Sequence, residues 1–377
     1  MRAAWGRAVA AAACVLAAGC ASGPASTRPA TAGPAAPPPL ATASTGAAGA
    51  GWAIVEMGGS AAQEDNFWEL FVRPAASAAW RLATPAGVAD NGGLEAAGTG
   101  GSLVAGFRPS QDLAFSPLAA THDDGASWAA AGPVTPGLAD APDALAAGPG
   151  GQLIALTSEG TAELGADTGN AWTRLASVQT LLATPAGHTC GLTGLTAASF
   201  GPSGVPMLAG TCSRPGTVGI FADHGGTWRA AGPAVPPALA GADTGVLRLT
   251  TSGALLRAGS GAAASLIAAW PAAGGWAQSA PLRIGANGLR ATSFGPGQAV
   301  AVVLADGQGE TLSGPGSSWH ALPRLPASAA ALALGPGGQV DALTAKAGTF
   351  ADWRLVAGAR WRLAQTVHVT IPYGSSS

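Results

Sequence analysis

The chain has 377 residues with 18 basic and 20 acidic side chains, a formal charge of −2, and only 10% charged residues. A mildly acidic balance with one lysine, Lys346, argues against nucleic acid or anionic lipid as the main partner. The 57 glycines and 29 prolines carry no functional signal of their own.

In chain order, Arg2 and Arg7 precede a short apolar run from Ala8 that ends at Leu16-Ala17-Ala18-Gly19-Cys20. This is the charged, apolar and small-residue succession of a secretory signal, too short to span a bilayer. A cysteine directly after the small residues resembles the bacterial lipoprotein box. That resemblance implies that residues 1–19 are removed, that Cys20 is lipidated, and that the protein is anchored on the extracytoplasmic face of the membrane. The competing reading is a secreted protein without the anchor. Residues 20–50 are mostly Ala, Pro, Ser, Thr and Gly, with Arg28 as the single charge. Such a stretch buries too little apolar surface to offset its ordering entropy, so a disordered linker is expected.

From there on a tryptophan recurs: Trp80, Trp128, Trp172, Trp228, Trp276, Trp319 and Trp361, in steps of 48, 44, 56, 48, 43 and 42 residues. Three copies end a common phrase. It reads Thr121-His122-Asp123-Asp124-Gly125-Ala126-Ser127-Trp128, then Phe221-Ala222-Asp223-His224-Gly225-Gly226-Thr227-Trp228, and more loosely Gly165-Ala166-Asp167-Thr168-Gly169-Asn170-Ala171-Trp172. A period of about 40–50 residues with frequent turn signals predicts four-stranded antiparallel blades, and seven copies predict a seven-bladed β-propeller over residues 51–377. The copy around Trp228 divides into strands at 192–200, 205–212, 217–222 and 227–231. First turns fall at Pro149-Gly150-Gly151, Thr251-Ser252-Gly253, Pro296-Gly297 and Pro336-Gly337-Gly338.

Before Trp80 only three strands are evident, at 52–57, 68–73 and 80–83. After Trp361, residues 362–365 complete the last blade and Val367 to Pro372 are left over. That surplus is expected to supply the innermost strand of the first blade and close the ring. With Cys20 assigned to lipid, Cys190 and Cys212 remain as a pair; counting back from the turn Gly201-Pro202-Ser203-Gly204 between consecutive strands places Cys190 near Cys212, and in an oxidising compartment the two are expected to form a disulfide. A metal site lacks further ligands at suitable spacing, and neither metal nor cofactor is expected.

The phrase with Asp123, Gly125, Ser127 and Trp128 resembles the Asp-box, or BNR, repeat of sialidases and many other propellers. The resemblance implies that Asp123, Gly125 and Trp128, Asp167, Gly169 and Trp172, and Asp223, Gly225 and Trp228 are structural. It also places them on the face away from a sialidase active site. The sialidase catalytic set does not carry over: the single tyrosine, Tyr373, stands four residues before the last one, and no Arg-Ile-Pro phrase is present. Loop charges on the opposite face are Glu64, Asp65, Asp90, Arg108, Asp112, Glu159, Glu163, Arg214, Asp306, Glu310 and Lys346. No catalytic residue is assigned among them. The expected function is a non-enzymatic, monomeric binding or scaffold module for a protein or glycan partner in the envelope. The alternatives are a glycoside hydrolase with an unrecognised site and an assembly factor for a membrane complex.

Overall fold

A computed structural model describes residues 41–45, 49–58, 66–75, 77–85, 94–99, 102–107, 118–130, 142–157, 159–166, 172–286, 288–327, 329–346, 348–356 and 360–369. Among them the strands form seven successive four-strand antiparallel sets, called blades 1 to 7 in chain order. Blade 4, for example, runs through Leu192–Phe200, Pro206–Cys212, Gly219–Asp223 and Trp228–Ala230. The recurring tryptophans stand at or next to the start of the outermost strand in each blade, as with Trp80 before Arg81–Leu82 and Trp319 before His320–Ala321. Two short helices, Val178–Leu182 and Pro185–Cys190, lead from blade 3 into blade 4.

The inner hairpins are tight because Pro-Gly supplies both halves of the turn. Gly297 and Gly337 take φ of +64° and +72°, which a side chain would strain, while the preceding proline already holds a compatible φ. The strands these turns join are apolar on both faces, as in Leu332-Ala333-Leu334, because each blade is covered by its two neighbours.

Among the described residues the expected closing strand does not form. Val367 and His368 continue the outermost strand of blade 7, Arg360–His368, and pair with Phe350 and Thr349. Residues 370–372 lie outside the described residues. The innermost strand of blade 1 is instead Ala41–Thr45, antiparallel to Gly51–Gly58 with Ser44 opposite Trp52. Five residues assigned to the linker are therefore part of a sheet. The physical reason is that this strand is made only of Ala, Thr and Ser, with no large apolar residue to mark it as buried. Ala43 and Thr45 are buried there, and their composition is the same as a linker's.

This first strand ties three blades together. It also pairs in parallel with Leu289–Phe294 of blade 6, and the Thr45 hydroxyl donates to the Leu334 carbonyl of blade 7. Farther out, blades 7 and 1 meet through side chains. Phe71 and Phe350 stack with centroids 3.9 Å apart, and Trp80 meets Phe350 edge-on. The Gln365 amide accepts from the Trp80 N–H at 2.7 Å and donates to the Trp80 carbonyl at 2.6 Å, bridging the two outermost strands.

Ala43→Leu tests the placement of the first strand. Added methylenes at a buried site are expected to cost about 1–3 kcal/mol in chemical denaturation. In a linker, leucine at this position changes nothing.

Candidate functional site

In the phrase ending at Trp128, the Asp123 carboxylate is consumed by its own turn. It accepts from the Ser127 N–H at 2.9 Å, the Ser127 hydroxyl at 2.6 Å and the Thr121 hydroxyl at 2.7 Å. These bonds, the Ser127 hydroxyl foremost, hold the carboxyl well below the usual carboxylate range. Gly125 takes φ of +81°, and a Cβ there would stand 2.9 Å from the Ala83 methyl of blade 1. From blade 1, Arg81 donates to the Asp123 and Asp124 carbonyls. The second copy is looser: Asp223 accepts from the Gly226 N–H at 2.7 Å, with Gly225 and Gly226 both at positive φ. Asp167 and Gly169 lie outside the described residues, and so does Cys20.

The tryptophans divide into two kinds. In blades 5, 6 and 7 the indole N–H donates to a carbonyl just past the outermost strand of the preceding blade: Trp276 to Ala231 at 2.7 Å, Trp319 to Ala280 at 3.0 Å and Trp361 to Pro323 at 3.4 Å. In two of the three copies carrying the aspartate, the buried Nε1 atoms of Trp128 and Trp172 have no partner among the described residues. In blades 5 to 7, where the aspartate is missing, the tryptophan is thus more than a packing anchor. In those three blades it is hydrogen-bonded across the blade boundary, whereas the Trp80 indole N–H has no partner among the described residues.

Cys190 and Cys212 are joined by a disulfide with Cα atoms 5.0 Å apart. The bond ties the end of the helix Pro185–Cys190 to the second strand of blade 4, at the end of the molecule opposite the aspartate turns. Of the loop charges named from sequence, Glu64, Asp65, Asp90, Arg108 and Asp112 lie outside the described residues. Glu163 faces Arg174 at 3.7 Å, and Asp306 accepts the Gln308 N–H at 2.9 Å in its own turn. Burial raises the Glu310 carboxyl, His320 lowers it and Asp306 raises it. Among the described residues no three His, Cys, Asp or Glu side chains gather as a metal site.

Charge is distributed unevenly along the chain. Residues 41–200 carry 14 acidic and 4 basic side chains, whereas residues 201–377 carry 6 and 11. In blades 4 to 7, six exposed cations stand at the end opposite the aspartate turns. They are Arg214 after the second strand of blade 4, Arg257 near the end of Gly253–Ala258, Arg283 and Arg290 between blades 5 and 6, Arg324 before blade 7, and Lys346 closing Val340–Lys346. Asp243, Asp306 and Glu310 are interspersed. Of the other acids in this half, Asp341 and Asp352 are buried at the blade 7–blade 1 boundary. Averaging charge over the whole chain hides this basic crescent, although counting by halves exposes it.

No family model and no curated protein matches this sequence. Solved structures do match. A putative 6-phosphogluconolactonase from Bacteroides uniformis aligns with a TM-score of 0.52 at 13% identity, covering 84% of this chain and 96% of that one. A second, from Bacteroides fragilis, aligns at 0.50 and 10%, covering 84% and 95%. The Aleuria aurantia lectin, a six-bladed β-propeller, aligns at 0.41 and 13%, covering 74% and 97%. The fold is a β-propeller. At these identities the likeness extends to the propeller architecture and not to any activity.

The two kinds of tryptophan give a paired prediction. Trp276→Phe removes a satisfied inter-blade hydrogen bond and is expected to cost about 1–3 kcal/mol in urea unfolding. Trp128→Phe removes a buried N–H that has no partner among the described residues, and is expected to cost clearly less.

Proposed function

We propose that this chain is a seven-bladed propeller, lipid-anchored through Cys20 on the extracytoplasmic face, that binds an acidic protein partner in the cell envelope. It acts as a non-enzymatic binding or scaffold module. The observation that carries the reading is the basic crescent on blades 4 to 7 in a chain whose overall charge is negative. Five of its six cations are arginines, whose planar forks suit carboxylates. The interspersed Asp243, Asp306 and Glu310 would repel a uniformly anionic lipid or glycan surface, while a polypeptide can place a basic residue opposite each. The disulfide-tied helix Pro185–Cys190 supports the same face, because a rigid edge lowers the ordering entropy lost on binding. The lipid anchor rests on the order Arg2, Arg7, apolar run and Cys20.

The test uses the full-length protein. A fluorescent glutamate-rich peptide is titrated against wild type and against a triple variant, Arg214→Glu, Arg257→Glu and Arg283→Glu. Crosslinking in native membranes is run in parallel. Expected are salt-sensitive peptide binding weakened at least about tenfold in the variant, and one acidic envelope protein captured by wild type alone. Equal capture by both proteins moves the binding face elsewhere. Turnover of a glycoside that Glu310→Gln abolishes replaces the reading with an enzyme.

A further inference from the structure

The boundary between blades 7 and 1 contains four ionisable side chains that no binding role uses. Asp341, on Val340–Lys346, is fully buried and fully bonded. It accepts from Arg73 at 2.8 Å, from the Gln339 amide at 3.0 and 2.8 Å, and from Arg354 at 3.2 Å. Arg73 arrives from blade 1 and is itself held in place. It donates to the Gly49 carbonyl at 3.1 Å and lies over the Trp80 ring at 4.8 Å.

Asp352, on the adjacent strand Thr349–Val356, is also fully buried, but neither of its oxygens has a hydrogen-bond partner among the described residues. The nearest cation, the Arg354 guanidinium, is 4.0 Å away and already spends its Nε on Asp341. The groups acting on Asp352 are Asp341 from the second strand of blade 7, Arg354 on its own strand and Arg73 from blade 1. Opposite it on the outermost strand stands Gln365, a neutral amide whose N–H is committed to the Trp80 carbonyl. An ionised carboxylate here is a buried charge without a hydrogen bond, and such a charge is costly.

We propose that the blade 7–blade 1 boundary is a proton-operated latch, closed when Asp352 is neutral and loosened when Asp352 ionises. Among the described residues, the first and last blades meet here outside the axis through contacts that each involve a side chain, so an uncompensated charge acts on the joint itself.

Burial, followed by the Asp341 charge, pushes the Asp352 carboxyl up to about 7, against the opposing pull of Arg354 and Arg73. The folded-state value is therefore above the unfolded one. The corresponding stability is fully present below the unfolded carboxylate range and is lost as pH rises through about 7. The latch closes on acidification. It requires no particular partner at the basic crescent, so the two proposals stand or fall separately.

The experiment measures unfolding of the full-length protein between about pH 5.5 and 8.5, for wild type and Asp352→Asn, together with amide hydrogen exchange corrected for its intrinsic pH dependence. The folding equilibrium constant of wild type is expected to fall about tenfold or more across this range. In Asp352→Asn that slope flattens, and the variant exceeds wild type at the alkaline end. Exchange in wild type is expected to accelerate with pH in Asn66–Arg73 and Thr349–Val356 but not in Pro206–Cys212 of blade 4. An undiminished slope in the variant, or equal acceleration in all three strands, overturns the proposal. Should Asp352→Asn fail to fold, the wild-type exchange pattern decides alone.

Discussion

Arg73 and Asp341 are 268 positions apart in the chain and 2.8 Å apart in space, and the way the two ends of the propeller meet depends on that contact. A chain of repeated blades leaves its first and last units exposed at their facing sides unless something joins them. Here the joint is layered. At the axis, the strand Ala41–Thr45 bonds to blade 6 and, through Thr45, to blade 7. Midway out come the Phe71–Phe350 stack and the Arg73–Asp341 pair, and at the rim the Gln365 amide holds the backbone of Trp80. Aromatic stacking adds about 0.5–1.5 kcal/mol beyond area burial. A buried ion pair contributes little net stability, yet breaking it is strongly destabilising. The boundary is therefore specific rather than strong, which suits a joint whose tightness follows the protonation of one neighbouring carboxyl.

Elsewhere adjacent blades are held by two devices that scarcely overlap. In the Trp128 copy the aspartate makes a rigid turn, and Gly125 lets that turn rest on Ala83 of blade 1 with no room for a side chain. In blades 5 to 7 the turn is simpler, and the indole reaches across to the preceding blade. A local bond and a long-range one thus do the same job of fixing the outermost strand. The motif can decay in sequence without the architecture changing, because each tryptophan keeps its place beside the outermost strand.

How far the sequence could be read follows from these contacts. The tryptophan spacing was readable because one large aromatic per blade marks the same structural position each time, and the strands of blade 4 lie within two residues of where its punctuation puts them. Cys190 and Cys212 were readable as a pair because a single hairpin brings them together. Ala41–Thr45 was not, since its Ala, Thr and Ser are the same small residues as those of a flexible linker and carry no large apolar residue. Its absence from the strand inventory is what sent Val367 and His368 to the wrong blade. The Arg73–Asp341–Asp352 cluster had no local signal at all: an aspartate opposite an arginine on adjacent strands, as with Asp341 and Arg354, looks like an ordinary surface pair until its burial is known. The basic crescent was present in the numbers but averaged away by an acidic first half.

The account turns on the two ends of the propeller being joined through buried side chains, and a double-mutant cycle on Arg73→Met and Asp341→Asn addresses this directly. Each single change removes one partner of this buried ion pair and is expected to cost about 3–5 kcal/mol in equilibrium unfolding, while the double variant costs little more than either alone. Strictly additive losses, or single variants as stable as wild type, would show that the first and last blades do not meet through this pair.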